Sequence, residues 1–310
     1  MTLARPVYAG SASMITRRCT QRQFLLRPDR ETNNAFLYCL AVSAARHSVV
    51  VMNFVQMSNH LHGAIFDRAG NLPAFYEDFH RLLAKCMNAY RGRWENFFAT
   101  GQTNVVRLET VDALIDKLVY IATNPVSDGL VASVDEWPGA SGFRALIEGR
   151  RLTARRPRHF FSEDGDMPEE ASLELEIPPE LGDREEILAA VRERVARLEV
   201  DEKARRLRTG VSVLGRYAVL RQSWRDSPTS REPRRGLRPT IAARSLWARL
   251  EAIQRKREFS DAYRRALLAY RAGLPTTFPF GTYHLHRFFG VSVETTHDVA
   301  TFFVSPENRG

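Results

Sequence analysis

The chain has 310 residues, 44% of them hydrophobic, which is enough to bury a core larger than that of one typical domain. Its 45 Lys and Arg against 36 Asp and Glu give a formal net charge of +9, which excludes an acidic, self-solvating chain and suits a polyanionic partner. The three cysteines, Cys19, Cys39 and Cys86, lack paired metal-ligand spacing and argue against a disulfide-built secreted scaffold. No run of about eighteen apolar residues and no apolar signal core at the N-terminus is present, so the expectation is a soluble cytoplasmic protein without a membrane partner.

Residues 9–18 read as a strand and 31–46 as a helix carrying Phe36, Leu37, Leu40, Val42 and Ala45. Residues 48–56 and 60–67 are two β-branched, apolar strands. Only Met57, Ser58 and Asn59 separate them, short enough solely for an antiparallel hairpin. His60 and His62 open the second of these strands, and residues two apart on a strand share a face. Two neutral imidazoles side by side can grip a divalent metal. A bare His-x-His is more often two ordinary strand histidines, so context decides.

That context lies downstream. A long helix is expected over 73–96, a strand over 103–108, and an amphipathic helix from 112 that Pro125 should end at the residue before it. Leu114, Leu118 and Ile121 form the apolar stripe of that last helix, while Tyr120 and Asn124, spaced i, i+4, share another face. A phenol and an amide brought to a His-x-His metal are the parts for transesterification of a phosphodiester. The β-α-β-β-α-β order predicts an α+β, ferredoxin-like fold: an antiparallel sheet with helices on one face.

Met57-Ser58-Asn59-His60-Leu61-His62, followed by Tyr120-Ile121-Ala122-Thr123-Asn124-Pro125-Val126-Ser127-Asp128-Gly129, resembles the single-tyrosine HUH transposases of the IS200-like superfamily. The match is closer to the REP-associated tyrosine transposases. Trp137-Pro138-Gly139-Ala140-Ser141-Gly142-Phe143-Arg144 and the first-strand segment Ile15-Thr16-Arg17-Arg18 extend the resemblance over roughly residues 7–147. It implies an HUH nuclease core with His60 and His62 as metal ligands, Asn124 as a further, weaker polar ligand, and Tyr120 as nucleophile. The implied cofactor is a divalent metal, Mg²⁺ or Mn²⁺. The implied partner is single-stranded or hairpin DNA of REP-like repeats, bound by a monomer or homodimer in a bacterial, nucleoid-associated setting. The implied activity is cleavage and rejoining of DNA through a 5′-phosphotyrosine. The alternative is a non-catalytic or host-adopted DNA-binding protein derived from the same fold.

The transposase-like domain is expected over 1–150, with an acidic linker over 151–183 and a helical, arginine-rich region over 184–310. A fragment ending near residue 160 should then fold by itself. Helices are expected over 185–198 and 211–223, with Gly210 in the turn between them, as a helix-turn-helix-like DNA module. Arg17, Arg18, Lys85, Arg216, Arg221, Arg234, Arg235 and Arg238 are the candidate DNA contacts. Helices over 242–257 and 261–273 read as a structural hairpin. A second His-Leu-His, at His284 and His286, lacks a matching tyrosine helix and reads as structural or DNA-contacting rather than as a second metal site.

Overall fold

The computed structural model describes residues 4–230 and 239–295. The first half runs β1 (Ser11–Arg18), α1 (Arg30–His47), β2 (Val49–Gln56), β3 (His60–Asp67), α2 (Leu72–Arg91), β4 (Asn104–Leu108), α3 (Val111–Ser127) and α4 (Phe143–Glu148). The second half adds β5 (Leu152–Arg155), β6 (Glu170–Leu173), α5 (Arg184–Thr209), α6 (Arg216–Arg221), β7 (Ile241–Ala242), α7 (Leu246–Arg271), β8 (Thr277–Phe278), α8 (His284–Phe289) and β9 (Ser292–Val293). The fold is α+β. Its central sheet has the order β2-β3-β1-β4-β7, antiparallel through β4. The short β7 lies parallel to β4, so the sheet is mixed where a purely antiparallel one was expected.

Residues paired directly across antiparallel strands share a face. Thr16, Val55 and His62 are therefore on one face, and Ile15, Phe54 and Gly63 on the other. Helices α1 and α2 cover the second face. Phe36 of α1 lies 5.6 Å from Phe54 and meets Phe79 of α2 edge-on at 5.5 Å. Helix α3 crosses the first face, where the Asn53 side-chain amide donates to the Leu118 carbonyl at 3.2 Å. Asp29 and Thr110 cap α1 and α3 by accepting from the Thr32 and Ala113 amides.

Pro125 does not end α3, which continues to Ser127. A proline forfeits one amide donor and crowds the carbonyl four residues back. Here it falls in the final turn, where little helix remains to disturb, and the Asp128 amide still reaches the Asn124 carbonyl at 3.0 Å. The segment 137–142 adds to the outer edge of β2. Trp137 Nε1 donates to the Gln56 carbonyl at 3.0 Å, and the Gly142 amide to the Phe54 carbonyl at 2.9 Å. At Gly139 a Cβ would sit 2.7 Å from that same Gln56 oxygen and 2.5 Å from Trp137 Nε1, so only glycine lets the two segments meet.

The second half differs more from expectation. Residues 151–183, read from their acidity as a linker, carry the β5–β6 hairpin and bury Ala154, Ala171, Leu173, Leu175 and Ile177 in the main core. The acidic residues that suggested a linker are largely surface charges, several paired with arginines: Arg151 with Glu174, and Arg156 with Glu169 at 2.7 Å. Helix α5 is one long element and buries Ile187, Leu188, Val191 and Val195 in the same core. Helix α6 is only six residues long and buries Val219 there, while the Leu214 and Gly215 amides bond to the Gly129 and Leu130 carbonyls, both at 2.9 Å. The expected helix-turn-helix is therefore a long helix followed by a strap docked on the core. The expected hairpin over 242–273 is the single helix α7; no Gly or Pro interrupts it, and Phe259 and Ala266 are buried along it.

Because apolar side chains of 171–219 complete the core, a fragment ending at residue 160 should not fold alone. Each buried Leu, Ile or Val it strands forfeits about 1.5–3 kcal/mol, against a total stability of ~5–15 kcal/mol for a whole protein. Circular dichroism through a urea titration should show a cooperative transition for the full chain and none for the fragment. A cooperative fragment would mean that the core is separable.

His80 on α2 is buried, and desolvation, with Arg17 nearby, pushes its imidazole down to about 3. Its folded value lies below the unfolded one, so the unfolded chain takes the proton first. The contribution of neutral His80 is complete above pH ~6.5 and drains away as pH falls from there toward 3. Near pH 5 the loss should reach about 2 kcal/mol. Thermal unfolding at pH 7.5 and pH 5 should show a smaller acid penalty for His80→Phe than for the native chain; equal penalties would contradict a neutral His80.

Candidate active site

The tight turn at 57–59 sets the register that puts His60 and His62 on the α3 face. The Met57 amide bonds the His60 carbonyl at 2.9 Å, and the Cys19 amide the Asn59 carbonyl at 2.8 Å. The two rings stand edge to face, 4.8 Å between centroids. Each has a partner at Nδ1: Thr16 Oγ1 at 2.8 Å for His62 and Asn59 Oδ1 at 2.7 Å for His60. Such contacts fix ring orientation, as the outer partners of metal-bound histidines do. Burial, reinforced by His60, Arg18 and Lys117, holds His62 well below the usual histidine range, so it is a neutral ring with a lone pair to offer.

Helix α3 brings Tyr120 to this pair. Its hydroxyl lies 3.5 Å from His62 Nε2, and the two rings are 5.1 Å apart. One turn on, Asn124 is buried, and among the described residues its Oδ1 has no hydrogen-bond partner. A buried acceptor left unmatched costs roughly 1–3 kcal/mol, a cost that a bound cation would remove. Among the described residues no group of three or more His, Cys, Asp or Glu gathers. The residues that could hold a divalent metal here are His60, His62 and Asn124, two imidazoles and one amide oxygen. Imidazole ligands favour Mn²⁺ or another transition metal in affinity, whereas Mg²⁺ takes chiefly oxygen ligands.

The electrostatics favour a phosphate. Lys117 Nζ lies 5.6 Å from the Tyr120 ring centre, and Arg18, paired across the strand with His60, is exposed on the same face. Burial raises the Tyr120 phenol above its ordinary value and Asp128 adds to the rise; Arg18 and the Asn124 amide work against both. Burial also raises the Asp128 carboxyl. Beside the pair opens a cleft of 660 Å³ lined by Arg18, Arg22, Ser58, His60, Asp128 and Gln222. Gln222 Oε1 accepts from Ser58 Oγ at 3.2 Å, so the strap after α6 forms one wall.

Not every expected DNA contact is here. Arg17 is one residue from Arg18 and so on the opposite face, with its guanidinium 5.5 Å from the Phe98 ring centre and bonded to the Gly101 carbonyl. Lys85 is exposed on α2, behind the sheet from Tyr120. Arg216 and Arg221 are exposed on α6, next to Gln222 of the cleft wall. Arg234, Arg235 and Arg238 lie outside the described residues. His284 and His286 are on helix α8, where residues two apart do not face each other, and His286 Nδ1 lies 2.9 Å from the Val291 carbonyl. Asp128, Arg22 and Gln222 were missed from sequence. Asp128 had a legible signal, since Tyr120, Asn124 and Asp128 continue one i, i+4 series.

No model of a known protein family matches the chain, and no curated protein matches it. Among solved structures, the chain is similar to a REP-associated tyrosine transposase bound to a REP hairpin, at 16% identity and a TM-score of 0.41. The match covers 54% of this chain and 93% of that one.

Proposed function

We propose that the chain is a metal-dependent, single-tyrosine DNA endonuclease and strand transferase of the HUH transposase type, built on a ferredoxin-like core. Its substrate is single-stranded or hairpin DNA, of REP-like repeats by the sequence resemblance. The observation that carries this reading is the Tyr120 hydroxyl, 3.5 Å from His62 Nε2, at a rigid imidazole pair beside the unmatched Asn124 oxygen. A divalent metal held by His60, His62 and Asn124 would supply Lewis-acid polarisation of the scissile phosphate.

The chain's own residues account for the rest. Tyr120 Oη, losing its proton, bonds to phosphorus, and the bond from phosphorus to the 3′ oxygen breaks. That oxygen takes up a proton and leaves as a 3′-hydroxyl, with the 5′-phosphate held on the tyrosine. Attack by a 3′-hydroxyl reverses the sequence and joins strands. Arg18 and Lys117 face the phosphate from the sheet and the helix, and Arg22 stands in the cleft along which a strand would leave. The test is incubation of the full chain with 5′- and 3′-labelled single-stranded DNA and Mn²⁺, read on a denaturing gel. A protein–DNA adduct carrying only the label downstream of the cut is expected. Retarded but uncut DNA in a native gel, with no adduct, would favour the non-catalytic alternative.

A further inference from the structure

A second cleft, of 790 Å³, lies on the side of the sheet covered by α1 and α2, behind Tyr120. Tyr76 of α2, Phe259 and Tyr263 of α7, and Tyr283 and Phe288 at α8 make its walls, and Arg5 and Arg17 reach it. The rings are already ordered: Tyr76 stacks on His80 at 6.0 Å and Phe259 on Tyr263 at 5.9 Å. The C-terminal wall is tied to the N-terminal segment by the Val7 amide, which bonds the Gly281 carbonyl at 3.0 Å. Gly281 has φ +89°, and a Cβ there would sit 2.6 Å from the Tyr8 ring, so the junction requires glycine.

Among the described residues, three enclosed polar atoms of residues lining this cleft have no hydrogen-bond partner: His80 Nε2, Tyr283 Oη and Arg17 Nε. His80 is 8% exposed, with Nδ1 3.4 Å from Thr103 Oγ1. The Tyr283 hydroxyl lies near the Ala74 amide without reaching hydrogen-bond geometry. An adjoining recess shares Arg5 and Tyr76 and adds Arg107 and Lys256. Among the described residues, Lys256 Nζ bonds the neutral Thr240 hydroxyl, at 2.8 Å, and no carboxylate, and Arg107 is held by Glu109. Burial, Arg5 and Arg107 lower the Lys256 ammonium, the mark of a cation short of anions. Glu77 is an exposed carboxylate at the cleft against these cations.

We propose that this cleft binds one nucleotide unit, its base between the aromatic walls and its phosphate at Arg5 and Lys256. Flat π-faces and a cationic end are complements a nucleotide requires. The volume falls within the roughly 300–1,000 Å³ of small-molecule sites. The unit comes either from a single strand passing behind the sheet or from a free mononucleotide. The site uses neither Tyr120 nor the His60–His62 pair, so it stands or falls separately from the proposed cleavage.

The experiment is photo-cross-linking of the full chain in EDTA, with a single-stranded 12-mer carrying one 5-iodo-deoxyuridine and, separately, with free 5-iodo-deoxyuridine monophosphate. Adducts are then mapped by mass spectrometry. Labelling of the peptides bearing Tyr76, Tyr283 or Phe288 is expected. Labelling by the 12-mer alone assigns the site to a strand; labelling by the free nucleotide assigns it to a mononucleotide. Phe288→Ala and Arg5→Ala, both at exposed positions, should each weaken binding of the labelling ligand at least about fivefold, the loss typical of one stacked base. Lys203→Ala, on α5, should not. No labelling of those peptides by either probe, or unchanged affinity in both variants, would overturn the proposal.

Discussion

Tyr120→Phe is expected to abolish the covalent protein–DNA adduct, a fall of at least about 10⁴-fold given what removal of a nucleophile costs elsewhere. Affinity for the same single strand should change by less than about twofold, since only one oxygen is lost and the ring remains available to the DNA. Stability should hold within ~0.5 kcal/mol, as expected at a part-exposed position. The hydroxyl lies 3.5 Å from His62 and meets the Asn124 amide, and the ring is 41% exposed. Gel quantification of adduct, fluorescence anisotropy and thermal unfolding on one preparation give all three numbers. Adduct formation by the Phe variant would move the nucleophile elsewhere. Tyr90, packed beside His159, and Tyr283, in the second cleft, are the next tyrosines to substitute.

The second large effect belongs to the histidines. His62→Ala should remove cleavage and weaken Mn²⁺ binding by more than about 100-fold, because losing even an outer partner of a ligand costs ~10–100-fold. His60→Ala should do the same. His284→Ala and His286→Ala should change neither, since helix α8 turns the two rings to different sides. Asn124→Ala should show a smaller loss of Mn²⁺ affinity, in keeping with an amide as the weaker ligand. Mn²⁺ at about 100 times its Kd should raise the unfolding free energy of the native chain by ~2.7 kcal/mol, and that increment should shrink in the order native, Asn124→Ala, His62→Ala. Calorimetric titration together with thermal unfolding would decide it. Equal losses at the two His-Leu-His segments would remove His60 and His62 from the metal site.

Several parts of this molecule are determined locally. Two apolar, β-branched runs on either side of a three-residue turn allow only a hairpin. That hairpin puts His60 and His62 on one face whatever the rest of the chain does. Tyr120 and Asn124 share a helix face for the same kind of reason, and the i, i+4 series extends to Asp128. The division between Arg17 and Arg18 was also legible, because neighbours on a strand point oppositely; naming both as DNA contacts ignored that period.

What local pattern leaves open is which surfaces meet. Acidity marked 151–183 as a linker because solvent-facing charge looks alike on a linker and on a hairpin packed by its other side. Ala154, Ala171 and Leu173 are too few and too short a signal to separate the two. The continuity of α7 was hidden by its charged residues, and the two-residue β7 carries almost no pattern of its own. The sequence by itself therefore determined the hairpin, the imidazole pair and the tyrosine face, because each depends on backbone periodicity within a few residues. Only the tertiary structure decided that α3 lays Tyr120 against His62, that the strap after α6 walls the cleft, and that the C-terminal helices close a second cleft behind the sheet. Those are contacts between segments far apart in the chain, set by which buried surfaces fit, and no local period encodes them.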